Sequence, residues 1–144
     1  MAKQAPFSSY FSIGKTIRSY PKLPYEEIKN DVLGRSYSLS LVFVGPDRAR
    51  TLNIKSRKKT YVPNVLSFPL DKTHGEIFIT SKIAEKEAPA RGTTTDGYIG
   101  FLFIHAVLHL KGLRHGDTMD RLEKKYYTKY NFSFIHGRSH DHRN

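Results

Sequence analysis

A chain of 144 residues is the length of one domain and long enough to bury one sizeable core. It carries 24 Lys and Arg against 13 Asp and Glu, a formal charge of +11, with 9 Phe, 9 Tyr and a mean hydropathy of −0.52; the aromatics argue against a disordered chain, and the charge argues for a polyanionic partner, most commonly nucleic acid. Cysteine is absent, which excludes a disulfide scaffold, a thiolate zinc site, an iron–sulfur cluster and a cysteine nucleophile.

No acidic residue precedes Glu26, while Ser, Lys and Arg18 are present. Such a start, over the first twenty or so positions, faintly resembles a transit segment. An ordinary N-terminal strand or arm of a cytoplasmic protein fits it better, since Arg is scarce and no amphipathic run is evident. Pro24 to Leu33 reads as a short helix with Glu26 and Glu27 in its first turn and Gly34 as its stop. Leu39, Leu41 and Phe43 alternate with smaller or polar residues within Ser36–Val44, the period of a strand. Gly45-Pro46-Asp47 makes a turn, and Asp47 to about Lys55 predicts a helix with Ala49, Leu52 and Asn53 inward.

Arg48, Arg50, Lys55, Arg57, Lys58 and Lys59 form a basic run with no acid, followed by Tyr61. Read locally, it is a solvated face. Val65–Pro69 predicts a strand ended by its proline, and Gly75–Thr80 a second strand reached through a hairpin-like connection over Asp71–Gly75. Ser81–Glu87 predicts a helix stopped before Pro89, and one threonine of Thr93-Thr94-Thr95 an N-cap. Of the 13 residues from Tyr98 to Leu110, ten are apolar, so the helix they form is apolar nearly all round and predicts the buried centre of the domain. Its length is short of the ~20 residues needed to cross a bilayer. Asp117 to about Lys129 predicts a last helix capped by Asp117 or Thr118, and the polar tail from about residue 137 a frayed end.

The chemistry is concentrated at the end of the apolar helix. His105 and His109 stand four apart, one above the other on a helical face. That spacing brings two imidazoles to one ion at ~2.0–2.1 Å. Gly112 permits a left-handed turn, and His115 returns toward the same ion from outside the helix. Three histidine nitrogens leave a fourth tetrahedral position open, the pattern of a catalytic zinc-type site. The offsets match the protease signature H-E-x-x-H-x-x-G-x-x-H, except that the residue after the first histidine is Ala106, which moves no proton. The ligand set is kept and the peptidase base is missing.

The segment His105-Ala106-Val107-Leu108-His109-Leu110-Lys111-Gly112-Leu113-Arg114-His115 resembles the H-x3-H-x5-H motif of the YbeY-type endoribonucleases, the rRNA maturation factors. Leu52-Asn53 with Arg57, then Val65-Leu66-Ser67-Phe68-Pro69 and Gly75-Glu76-Ile77, resemble further segments of that family in the same order. Arg114 stands where the family carries an acid, Leu113 where it carries Tyr, and Val62-Pro63-Asn64 replaces its PTD triplet. The first departure predicts the loss of a partner for a metal-bound histidine, or the gain of a cation for a phosphate.

The resemblance implies a metal-dependent, single-strand-specific endoribonuclease acting in maturation of the 3′ end of small-subunit rRNA and in ribosome quality control. It also implies one divalent ion, zinc by preference, on His105, His109 and His115, and a functional arginine at Arg57. Arg57 and His115 are then catalytic, and Arg48, Arg50, Lys55, Arg57, Lys58 and Lys59 hold RNA. Single-stranded RNA, with the ribosome or small-subunit proteins, is the implied partner and the cytoplasm the implied location. The alternatives are a ribosome-associated RNA-binding module with a structural metal, or a metallohydrolase of another substrate. The expected fold is α+β: a mixed sheet of about four strands packed against helices, zincin-like, with the His-bearing helix central and the metal in a cleft between that helix and the basic segment.

Overall fold

The computed structural model describes residues 10–132. Its elements run β1 (Phe11–Lys15), α1 (Tyr25–Leu33), β2 (Ser38–Val44), α2 (Pro46–Arg57), β3 (Val65–Asp71), β4 (His74–Thr80), α3 (Ser81–Glu87), a 3-10 turn (Pro89–Arg91), α4 (Thr95–Lys111) and α5 (Asp117–Lys129). The expected frayed tail and the first nine residues of the start lie outside the described residues. Residues 11–15 form a strand at one edge of the sheet.

The four strands make one mixed sheet in the order β1-β2-β4-β3. β1 and β4 each run parallel to β2, and β3 runs antiparallel to β4. Each parallel pair needs a crossover, which α1 provides for β1 to β2; the connection from β2 to β4 carries α2 and the β3 arm of the hairpin. Leu39, Leu41, Phe43, Ile77 and Ile79, every second residue of the two central strands, are buried in the main core. Helix α4 lies against this layer and packs also on α1, α3 and α5. Its buried residues Ile99, Phe103, Ile104, Val107 and Leu108 face several elements at once, so the helix carries little amphipathic asymmetry, as the all-round apolar pattern predicts. Phe103 meets the edge of Tyr25 from α1 at 5.2 Å between ring centroids. Thr94 is the capping threonine and accepts from the Gly97 N–H at 3.0 Å.

Several element ends and one cap differ from expectation. β3 does not end at Pro69 but runs to Asp71, because it is an edge strand and the missing N–H of Pro69 deprives no further neighbour; the register shifts between Pro69 and Asp71 instead. α2 starts one residue early, with Pro46 at a position whose N–H has no helical partner, and runs on to Arg57 before Lys58 turns left-handed at φ 60°. α5 begins at Asp117 with Gly116 at the cap position and no side-chain cap. Asp117 and Asp120 face the positive end of the helix dipole instead.

Candidate metal centre and cleft

The end of α4 builds the site. Gly112, at φ 108°, donates to the His109 carbonyl and the Leu113 N–H donates to the Leu108 carbonyl, the paired bonds of a Schellman turn. That turn stops the helix and points the Leu113 carbonyl back at its last histidine: His109 Nδ1 lies 3.0 Å from it. A carbonyl only accepts, so Nδ1 carries the proton and Nε2 is a bare lone pair. His105 Nδ1 is held 2.5 Å from Glu123 Oε2, a half-buried carboxylate on α5. It too leaves its Nε2 free. The two Nε2 atoms stand 3.1 Å apart.

His115 follows the turn and completes a cluster in which one ligand atom from each of the three histidines lies within 4.8 Å of the others. Two nitrogens bound to one tetrahedral ion at ~2.0–2.1 Å stand about 3.3 Å apart, close to the spacing of His105 and His109. Two facing lone pairs repel unless a cation lies between them, so the donor set fits a divalent ion. Burial and the neighbouring imidazole of His105 hold the His109 pKa below the ordinary histidine value, which keeps it in the neutral form that binds metal.

The histidines open into a cleft of about 570 Å³, walled by Val65–Phe68 of β3, by Ser56 and Arg57 at the end of α2, by Asp120 and Glu123 of α5, and by Asn64, Arg91, Tyr98 and Phe101. The cleft therefore lies between α4 and the end of the basic segment, where the sequence places it. Ala106 lines it too, and its methyl leaves the peptidase base position empty of any proton carrier.

Of the six basic residues singled out in the sequence, the structure brings only Arg57 to the cleft wall. Its guanidinium donates to Asn53 Oδ1 at 3.3 Å and to the Tyr61 hydroxyl at 3.1 Å. Asn53 is itself buried and donates to the Tyr61 carbonyl at 3.0 Å, so the last turn of α2 and the loop after it hold the arginine together. Arg48, Arg50, Lys55, Lys58 and Lys59 are exposed along α2 and the loop, outside the cleft lining. Tyr61 lies in that loop, its hydroxyl accepting from Arg57.

Arg114 does not cost His105 its partner, as its replacement of the family's acid predicts. Glu123, 18 residues along the chain, supplies the carboxylate, and Arg114 is exposed away from the cleft lining. Glu123 and the Leu113 carbonyl are missed by sequence reasoning. Nothing local marks Glu123, whose role arises only when α5 packs against α4.

The family model described as Endoribonuclease YbeY matches residues 9–131. This chain belongs to the YbeY endoribonuclease family. The Endoribonuclease YbeY of Neisseria meningitidis serogroup C is 32 % identical over 109 residues, which cover 68 % of this chain and 63 % of that relative. The YbeY of Helicobacter pylori is 37 % identical over 97 residues, 65 % of this chain and 69 % of that one. The chain thus spans a little under two thirds of the Neisseria relative's length. A Thermotoga maritima protein solved in solution shares the fold at a TM-score of 0.60 and 23 % identity, over 83 % of this chain and 88 % of its own. The YbeY match includes β1, which the sequence motifs alone leave without a counterpart. Among the described residues no helix is long and apolar enough to cross a membrane.

Proposed function

We propose that this chain is a metal-dependent endoribonuclease that cleaves single-stranded RNA, with ribosomal RNA as its substrate and the cytoplasm as its place of work. In this reading the whole chain acts as one catalytic domain, engaged in maturation of the small-subunit rRNA 3′ end and in ribosome quality control, beside the ribosome or its small-subunit proteins. The observation that carries the reading is the meeting of three histidine donors with Arg57 in one cleft.

His105, His109 and His115 would hold the ion through their outward nitrogens. A zinc-type ion held there supplies Lewis acidity and a water that ionises near neutral pH. Glu123 and the Leu113 carbonyl fix which ring nitrogen of His105 and His109 carries the proton. Arg57 meets the scissile phosphate. Its planar fork pairs two phosphate oxygens and stabilises the charge that builds on them during attack. Asn53 and Tyr61 hold that fork before substrate arrives, which lowers the entropic cost of the encounter. Arg48, Arg50, Lys55, Lys58 and Lys59 attract the RNA backbone without reading its sequence. Ala106, with no carboxylate to take a proton, argues against peptide hydrolysis.

The test is cleavage of a labelled single-stranded RNA by the purified protein, with chelation, zinc re-addition and His115→Ala. The expected result is loss on chelation, recovery with zinc and a folded, inactive variant. Arg57→Lys should lower kcat by about 10²-fold, since an ammonium cannot form the paired contact. Metal bound by the wild type without RNA cleavage would count against an enzyme and for a binding module.

A further inference from the structure

The cleft holds a second arginine that the reading above does not use. Arg91 lies in its wall, exposed, at the end of the 3-10 turn. Its guanidinium carbon is 5.3 Å from the centroid of the Tyr98 ring. Unlike Arg57, it has no hydrogen-bond acceptor and no ion pair among the described residues.

The platform beneath it is fixed from three elements. Tyr98 is 2 % exposed, and Phe101 stacks on it with the two rings 8° from parallel. The Tyr98 hydroxyl donates to Glu87 Oε1 at 2.9 Å, from α3. Asn64, just before β3, donates to the same carboxylate oxygen at 3.0 Å. Glu87, four residues before Arg91, accepts both of these bonds on Oε1 and forms no ion pair with Arg91. Gly92, left-handed at φ 68°, closes the turn with its N–H on the Pro89 carbonyl. A guanidinium stacked on a ring keeps its in-plane N–H groups free to donate. The cleft that holds the histidines thus also presents a guanidinium set over a fixed ring, with no ion pair among the described residues.

We propose that Arg91 is a second backbone-phosphate site, which grips the RNA at a phosphate other than the one Arg57 meets and so sets the path of the strand through the cleft. The inference rests on the proposed ribonuclease reading and adds a position to it. It makes Arg91 a binding residue, distinct from the groups at the reacting phosphate. Its loss should weaken binding of an oligonucleotide and spare a substrate with a single phosphodiester.

The experiment uses the full chain and a labelled single-stranded oligoribonucleotide, with binding read by fluorescence anisotropy across a salt series in the His115→Ala background, and turnover read in the otherwise wild-type protein. Arg91→Ala should weaken binding about tenfold at low salt and flatten the plot of log affinity against log salt by about 0.7, the value for one phosphate of a single strand. It should raise KM for the oligonucleotide, leave its kcat within about twofold and leave cleavage of a dinucleotide unchanged. Arg91→Lys should keep most of the salt slope while binding less tightly. An unchanged salt slope and KM in Arg91→Ala would overturn the proposal while leaving the ribonuclease reading intact. Equal losses on the dinucleotide and the oligonucleotide would also overturn it, by making Arg91 a support for the fold of the site. Failure of the metal-loaded wild type either to bind or to cleave the oligonucleotide would overturn both.

Discussion

At the scale of single residues, the site is decided by what each imidazole does with its second nitrogen. His105 and His109 each give Nδ1–H to an oxygen, one from Glu123 and one from the Leu113 carbonyl, and this leaves Nε2 on both free to bind. Glu123 also brings a negative charge against the cluster, which favours a bound cation. Glu123→Ala should therefore lower metal affinity by about 10- to 100-fold in a competition titration against a chelator, with the circular dichroism spectrum unchanged. A variant that binds metal as tightly as the wild type would remove Glu123 from the account of the site. The Arg114 replacement illustrates the limit of reading neighbours in sequence as neighbours in space. His105 takes its carboxylate from a different helix, not from a chain neighbour of His115.

At the scale of elements, the terminator of α4 does two jobs with one backbone conformation. Gly112 adopts a left-handed φ that an L side chain resists, and the same turn places Leu113 and His115. Gly112→Ala should cost about 1 kcal/mol in urea denaturation and weaken metal binding as well, because the strain is relieved by moving the residues that follow. Gly75 makes a different demand. A Cβ there would lie 2.5 Å from the Tyr37 hydroxyl and 3.0 Å from Leu110, so β4 meets the end of α4 only through a glycine. Gly75→Ala should destabilise the protein by roughly 1–3 kcal/mol, measured in the same way.

Helix α5 is tied to α1 through Asp31, whose carboxylate pairs with Lys129 and accepts from the Tyr130 hydroxyl at 2.7 Å. The Lys129 and Tyr130 hydrogen bonds hold the Asp31 pKa below the ordinary aspartate value. A depressed folded pKa means that the unfolded chain takes up the proton first. The stabilisation is present above the ordinary value of 3.8 and is lost as pH falls through the folded value. Wild type should therefore exceed Asp31→Asn by under about 1 kcal/mol near pH 7, the pair being partly exposed, and the two should converge in acid. A constant difference down to acid pH would show that the carboxylate charge is not what Asp31 contributes.

At the scale of the whole molecule, the fold is expected to stand without the metal. The main core gathers buried residues from β2, β4, α1, α4 and α5, and none of the three histidines belongs to it. Chelation should leave the far-ultraviolet spectrum unchanged and shift Tm only by the loss of ligand linkage, about 2.7 kcal/mol when free metal stands at a hundred times its Kd. Unfolding on chelation would instead make the metal structural. Charge also acts at this scale. The exposed residues of α2 and its loop contribute to the excess that draws a polyanion toward the cleft, and Arg57 is the member of that run that reaches it.

The sequence by itself determined most of the elements and the histidine cluster. Alternation marked β2, an all-round apolar run marked the central helix, and the intervals between His105, His109, Gly112 and His115 marked the candidate metal cluster, because each of these signals is local in the chain. It also carried the family, through motifs in order. The tertiary structure alone decided that β3 is an edge strand and passes through Pro69, since edge or centre is a property of neighbours. It alone supplied Glu123 to His105, drew Tyr61 to Arg57, separated Arg57 from the rest of the basic run and set Arg91 on Tyr98 in the same cleft. A periodicity reports which face of an element is buried, but which side chain it meets there is fixed only when two distant segments pack, and the polar contacts that tune a site are made of such meetings.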